Sequence, residues 1–259
     1  QRGEFIKDNL EADHLRTEAL AILSHELSTP LASIKGYITA MLLEEVSWPE
    51  EKRRQFLQLI AEEVDNLQAM IREILDTTRM EAGLLAIEPQ PLRLPRLAQE
   101  VADEMQQHTT AHRFVLDFAS DFPLIDADPR RIKQVLRNIL DNAVKYAPDG
   151  GLVVIRGVVR ARDVVISIAD QGVGISPEDM IPLFDKYFRA RSSQDRHVPG
   201  TGLGLPLSRA IVEAHNGRIW AESQLGEGTT LHFSLPRHGL SADEVANQDA
   251  EPSSQKRKS

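Results

Sequence analysis

Two long stretches of helical periodicity, residues 7–46 and 51–82, constrain this chain more than any other feature, because apolar residues return at three- and four-residue steps through both. The first carries Leu15, Ala19, Ile22, Ile34, Ile38 and Met41. The second carries Phe56, Leu59, Ile60, Val64, Leu67, Ile71, Ile74 and Leu75. Between them Ser47-Trp48-Pro49-Glu50 reads as a short connection, with Ser47 as the N-cap of the second helix and Pro49 in its first turn. The two legs, each about 45–60 Å long, make a helical hairpin. A two-helix hairpin cannot cover both sides of its apolar stripe, so the expectation is a homodimer whose hairpins pair as a four-helix bundle.

Gly83 follows the last periodic turn as a helix stop, and Pro89, Pro91 and Pro95 make the next stretch extended. That places a hinge linker at residues 83–95, between a helical unit at 15–82, preceded by a helical linker at 1–14, and a second domain at 96–236. The second domain reads as a helix near 95–107, a strand near 113–118, and a helix opened by Asp128-Pro129 that runs to Tyr146. A Val- and Ile-rich antiparallel hairpin follows at 152–159 and 163–168, then a Gly- and Pro-containing stretch at 170–199. A helix near 202–215 and two closing strands near 218–223 and 229–235 complete a two-layer α/β sandwich. Residues 237–259 turn polar and are expected to be disordered.

Composition removes several classes of function. With 30 basic and 39 acidic residues the formal charge is −9, without the basic footprint that nucleic-acid binding needs, so no nucleic-acid partner is expected. The absence of cysteine excludes disulfide scaffolds, thiolate zinc sites and cysteine nucleophiles. No apolar run reaches the roughly 18–20 residues needed to cross a bilayer. The first residue is Gln1, not Met, which leaves room for an upstream sensor or membrane segment. The chain then reads as the cytoplasmic portion of a protein that such a segment could anchor.

Chemistry concentrates in a few clusters. His25, in Ser24-His25-Glu26-Leu27-Ser28-Thr29-Pro30-Leu31, falls off the local apolar stripe and faces solvent, with Thr29 one turn later on nearly the same face. A neutral imidazole can attack an electrophile while Glu26 accepts its other N–H, although on spacing alone the signal is weak and an ordinary surface His-Glu pair is the leading reading. Pro30 removes a backbone bond and should bend the helix just after the histidine. Further on, Asn138 and Asn142 share one helix face, and Lys145 and Tyr146 follow within a turn. These residue types suit a magnesium ion, a phosphate and a base, or simply the polar face of an amphipathic helix. Asp170-Gln171-Gly172-Val173-Gly174 follows an apolar strand, where a carboxylate can accept from an exocyclic amine, or an ordinary turn can form. Gly200-Thr201-Gly202-Leu203-Gly204-Leu205 opens a helix whose N–H groups could cradle phosphates, but it fits neither the Rossmann pattern nor a P-loop. Gly226-Glu227-Gly228-Thr229-Thr230 is either a hairpin loop or a second contact to the same site.

The segment His25-Glu26-Leu27-Ser28-Thr29-Pro30-Leu31 resembles the H-box of bacterial sensor histidine kinases, with Ser28 where that family usually has a basic residue. The later clusters, taken in order, resemble the N, G1, F, G2 and G3 boxes of the ATP-binding domain that these kinases share with gyrase-type ATPases. The resemblance implies that His25 is the phosphoacceptor, Glu26 its acid/base partner, and Thr29 part of a phosphatase motif. It implies ATP and Mg2+ as cofactors, with Asn142 as metal ligand and Asn138 assisting. Lys145 and Tyr146 would then contact phosphate and base, and Asp170 with Gly172 and Gly174 would read adenine. Gly200, Thr201, Gly202, Leu203, Gly204 and Thr229 would line the nucleotide, and Arg189 in Leu183-Phe184-Asp185-Lys186-Tyr187-Phe188-Arg189 would face the γ-phosphate. Residues 175–199 would form a lid with Phe184 and Phe188 as its anchors. It further implies a Bergerat-type fold for the sandwich, a homodimer, and a response-regulator receiver domain as partner. Two weaker features carry no function at this stage. His108 and His112 read as surface histidines, and Arg130, Arg131, Lys133 and Arg137 read as a solvated basic face, with phosphate attraction or partner docking as the minor reading.

Overall fold

A computed structural model describes residues 2–43, 46–190, 198 and 200–237. Two helices, α1 (Arg2–Met41) and α2 (Glu50–Glu81), form the expected hairpin, and the stretch read as an N-terminal helical linker is, from Arg2, continuous with α1. Ser47 does not cap α2. The N-cap position is Pro49, which has no side-chain acceptor, and Glu50 and Glu51 in the first turn meet the helix dipole instead. The connection is held by aromatics. Trp48 donates its indole N–H to the carbonyl of Ala40 at 2.9 Å and meets Phe56 edge-on at 5.2 Å, while Phe56 stacks on Tyr37 at 5.8 Å.

Gly83 does end α2, at φ +67°, with its N–H on the carbonyl of Met80 and that of Leu84 on the carbonyl of Arg79. This is the paired closure of a Schellman motif, which needs a left-handed residue at that position. Beyond it come β1 (Gln90–Leu92), α3 (Leu94–His108), β2 (His112–Asp117), β3 (Ile125–Ala127) and α4 (Pro129–Lys145). Then follow β4 (Gly151–Val159), β5 (Asp163–Ala169), the short α5 (Pro177–Met180), α6 (Gly204–Ala214), β6 (Arg218–Gln224) and β7 (Gly228–Pro236). The tail expected to be disordered, past Arg237, lies outside the described residues.

The main sheet runs β2-β4-β5-β7-β6, parallel only between β2 and β4, and β1 pairs with β3 in a separate two-stranded ribbon. Helices α3, α4 and α6 supply the second layer. Their buried faces, such as Val101, Leu136, Ile139 and Ile211, pack with the inward residues Ile155, Ile166, Phe233 and Leu235 in one core. Asp128 caps α4 as the Asp-Pro pair predicts, accepting from the N–H groups of Arg130 (2.9 Å) and Arg131 (3.2 Å) and also from Glu88 (3.1 Å). Burial works against its charge, yet the three N–H groups outweigh that cost and hold the carboxyl below its ordinary range. Its own N–H donates to Nε2 of the buried His215, which ties α4 to the end of α6.

Two expectations are corrected. His112 is buried rather than at the surface, with its ring between the Thr109 hydroxyl (3.0 Å) and the Ala147 carbonyl (2.9 Å). The basic run on α4 is only partly a solvated face: Arg130 and Arg137 stay exposed, but the run also docks on neighbouring helices. Lys133 and Arg137 pair with Glu104 of α3, and Arg131 reaches Asp76 of α2 at 2.8 Å. Among the described residues no helix is long and apolar enough to cross a membrane.

Candidate functional site

A cavity of about 1170 Å3 opens where the helical hairpin meets the sandwich. It is lined from the hairpin by His25, Glu26, Thr29 and Glu73, and from the sandwich by residues of α4, the end of β5, the glycine-rich loop before α6, and β7. Ligand cavities commonly run from about 300 to 1,000 Å3, so the space admits a nucleotide and the groups that react with it.

On the hairpin side, the His25 side chain is 80% exposed, as its place off the apolar stripe predicts, and its Nδ1 lies 3.8 Å from Glu26 Oε1. Glu26 itself is buried. Its Oε2 accepts the N–H of Gly200 at 2.9 Å, and Arg189 Nη1 stands 3.7 Å from Oε1. Pro30 sits within α1 and lacks the N–H that would close on the carbonyl of Glu26. Just before it, the hydroxyls of Ser28 and Thr29 turn back onto the carbonyls of Ser24 and His25, bonds of a kind that loosen and bend a helix.

On the sandwich side, α4 projects Asn138, Asn142, Lys145 and Tyr146 to the cavity. Asn138 donates through Nδ2 to the Gly204 carbonyl (3.0 Å) and to Ser208 Oγ (3.3 Å), which leaves its amide oxygen as an acceptor. Asp170 follows β5 and takes the N–H of Gly172 (2.8 Å) and of Thr229 (3.2 Å), both on Oδ1. The second oxygen remains for a donor in the cavity. Burial pushes the Asp170 carboxyl up, against these two bonds. Glycine at 172 and 174 is required by protein backbone: an added Cβ would stand 2.4 Å from the Tyr146 carbonyl oxygen and 2.1 Å from that of Gln224. Those contacts lock the Asp170 loop against the end of α4 at Tyr146 and the end of β6 at Gln224.

The glycine-rich motif opens α6 as expected, with Leu203 at the N-cap and the helix beginning at Gly204. Gly200, Thr201, Gly202 and Gly204 line the cavity, as do Gly174, Arg189 and Thr229. Leu203, 1% exposed, sits in the wall behind them, and Gly172 is likewise outside the lining. Of the expected lid anchors, Phe188 lines the cavity and Phe184 packs on the core, while 191–197 and 199 of the lid segment lie outside the described residues.

Two carboxylates in the cavity escape the sequence reading. Glu73 of α2 accepts the Thr201 hydroxyl on Oε2 at 2.8 Å. Burial raises its carboxyl, with the Thr201 bond and Lys145 opposing and Asp141 adding to the rise. Asp141, on α4 beside Asn142, is raised by burial as well, against Lys145 and Arg137. Neither carries a signal in the sequence, since a charged residue off the apolar stripe reads as solvated. Among the described residues no group of three or more His, Cys, Asp or Glu gathers as a metal cage. The donors present are amide oxygens beside a cavity sized for phosphates, a set that fits a hard cation such as Mg2+, which takes few protein ligands and completes its shell with phosphate and water.

A model of the His Kinase A (phospho-acceptor) domain matches residues 15–83, and one of the histidine kinase-, DNA gyrase B-, and HSP90-like ATPase matches residues 127–239. The adaptive-response sensory kinase SasA of a Synechococcus species is 36% identical over 87% of this chain and 60% of its own length. The sensor histidine kinase WalK of Bacillus subtilis is 31% identical over 89% of this chain and 38% of its own length. The solved structure of histidine kinase ThkA in complex with response regulator protein TrrA is similar at a TM-score of 0.60 and 26% identity, covering 88% of this chain and 66% of that one. The chain thus spans less than two thirds of the length of these curated relatives. The ATPase domain implies ATP binding, and the phospho-acceptor domain implies dimerisation. With both domains matched in this order, on a helical hairpin and an α/β sandwich that align with solved histidine kinases, the chain belongs to the histidine kinase family.

Proposed function

We propose that this chain binds Mg-ATP in the cavity, transfers the γ-phosphoryl group to His25, and passes it on to an aspartate of a response-regulator receiver domain. The observation that carries this reading is that a single cavity is lined both by His25 and Glu26 and by Asp170, Asn142, Lys145 and Arg189. Asp170 would accept from the adenine amine through its free oxygen, and Tyr146 would cover the base. Lys145, Arg189 and the donors at Gly200, Thr201, Gly202 and Gly204 would hold the phosphates. Asn142, with Asn138 beside it, would hold Mg2+, which supplies charge neutralisation when bound. The loose transition state of phosphoryl transfer leaves a protein mostly positioning and electrostatics to provide, and these residues provide both.

In the transfer, a lone pair of the His25 imidazole forms the new N–P bond as the bond from phosphorus to the bridging oxygen breaks and leaves with ADP. Nδ1 faces Glu26, so Nε2 is the attacking atom and Glu26 takes the proton from the ring. Thr29, one turn on and also lining the cavity, is assigned to the opposite reaction, positioning a water that dephosphorylates the receiver. The functional units are then a dimerisation and phosphotransfer domain at 15–82, a hinge at 83–95 and an ATP-binding domain at 96–236. Their setting is the cytoplasmic portion of a longer protein whose sensor or membrane segment precedes them.

Exposed apolar residues at seven-residue spacing, Leu57, Val64 and Ile71 on α2 and Leu31 and Ile38 on α1, support a homodimer that seals these stripes. The test is incubation with ATP labelled at the γ position. The expected product is acid-labile and alkali-stable, maps to His25, and passes its label to a receiver domain. A chain with proven nucleotide occupancy that gains no such label overturns the reading.

A further inference from the structure

Three of the donors that the nucleotide reading assigns to phosphate oxygens, at Gly200, Thr201 and Arg189, face carboxylates of the helical hairpin. The N–H of Gly200 donates to Glu26 of α1 at 2.9 Å, the hydroxyl of Thr201 donates to Glu73 of α2 at 2.8 Å, and Arg189 stands 3.7 Å from Glu26. The two carboxylates come from different helices and meet adjacent residues of one loop. An added Cβ at Gly204 would stand 3.2 Å from Glu73 Oε1, so the small residue there admits the approach. A carboxylate oxygen and a phosphate oxygen ask the same of their partners: a backbone N–H, a hydroxyl and a guanidinium. The ion pairs Arg131–Asp76 and Lys186–Glu81 hold the same two bodies together on the flank of this contact.

We propose that Glu26 and Glu73 act as built-in stand-ins for nucleotide phosphates, so that docking of the sandwich on the hairpin and seating of a nucleoside triphosphate compete for the same donors. The inference rests on the nucleotide reading above and adds the regulation of that site. It orders the events. A triphosphate that takes the Gly200 N–H detaches Glu26, and the carboxylate beside His25 becomes free to accept a proton only once the phosphate has arrived. Docking with both carboxylates in place is the resting arrangement.

The competition is charge against charge, so it should scale with the number of phosphates on the ligand. The test is a calorimetric titration of the whole chain with adenosine, ADP and ATP in the presence of Mg2+, for the parent and for Glu73→Gln, which keeps an oxygen for Thr201 and loses the charge. ATP binding is expected to tighten by about tenfold, ADP by less, and adenosine not at all. No change, or an equal change for all three ligands, overturns the inference. Glu81→Gln serves as the control for mere loosening, because it breaks the flanking pair with Lys186 outside the cavity and should shift the three ligands alike or leave them unmoved. If Glu81→Gln reproduced the graded pattern, the carboxylate at 73 would have no special place and the inference would fall. A parent chain that binds none of the three overturns the nucleotide reading and the inference with it. A parent that binds them while Glu73→Gln is indifferent overturns the inference alone.

Discussion

The two halves of this molecule bury their apolar surface in different ways. The sandwich closes its core within one chain: Ile139, Ile155, Ile166, Phe233 and Leu235 are all at or below 1% exposure. The hairpin does not. Leu57 remains 55% exposed, Ile71 47% and Leu75 53%, at positions where a partner helix would seat them. The sandwich thus covers its own apolar surface, whereas the hairpin leaves a stripe for a second copy to cover, in keeping with the dimerisation that its phospho-acceptor domain implies. On the proposed mechanism, chemistry that needs both halves would be coupled to assembly.

The sharpest way to separate the halves is by function. His25→Gln should reduce phosphoryl capture to background, a loss of about 10³-fold or more, with nucleotide affinity unchanged. Asn142→Ala should weaken Mg-ATP binding while leaving His25 in place. Radiolabelling and calorimetry on the same preparations check this, and matching losses in both variants would dissolve the division of labour.

Next in size is the core. Phe233→Ala should cost about 3–5 kcal/mol and unfold the sandwich at a denaturant midpoint independent of protein concentration. For the hairpin, Ile71→Glu should weaken self-association by about 3 kcal/mol, read by sedimentation as a shift from dimer to monomer, because a charge cannot be seated in an apolar seam. If Ile71→Glu left the dimer intact, the exposed stripe would not be its seam.

The smallest effect is at the cap. Asp128→Ala should cost about 1–2 kcal/mol in chemical denaturation at neutral pH. The carboxyl is held below its ordinary value in the folded chain. Its contribution is therefore complete above the unfolded value near pH 4 and is lost as the pH falls through the folded value. In the Ala variant that acid-side loss should disappear.

The elements legible in the sequence are those whose signals are local. Asp128-Pro129 marks the start of α4 because the capping carboxylate and the fixed φ of proline act within one turn, and Gly83 marks the end of α2 for the same kind of reason. The Val- and Ile-rich runs give β4 and β5. Strands β1 and β3, three residues each, are illegible because what makes them strands is pairing with each other across the whole of α3, as in Leu92 with Ile125. The site follows the same division. His25, Asn142, Asp170 and the glycine loop stand in short motifs, but Glu73 and Arg131 owe their places to the docking of two distant segments, and a charged side chain on a polar face looks the same whether it meets water or a partner. Ser47 shows the converse failure: a good capping residue goes unused where Trp48, held by Ala40 and Phe56, shapes the turn and Pro49 takes the N-cap position.

One left-handed residue sits at the root of the sandwich. At Gly83 an added side chain would find open space, so the constraint there is purely torsional, and a bulkier residue would be resisted by its own backbone alone. In the proposed hinge, that joint would set the direction in which the chain leaves α2 for the sandwich. A rotation of a few degrees there would carry the far end of the sandwich through several ångströms, so on the proposed reading the approach to His25 would answer to a residue outside the cavity.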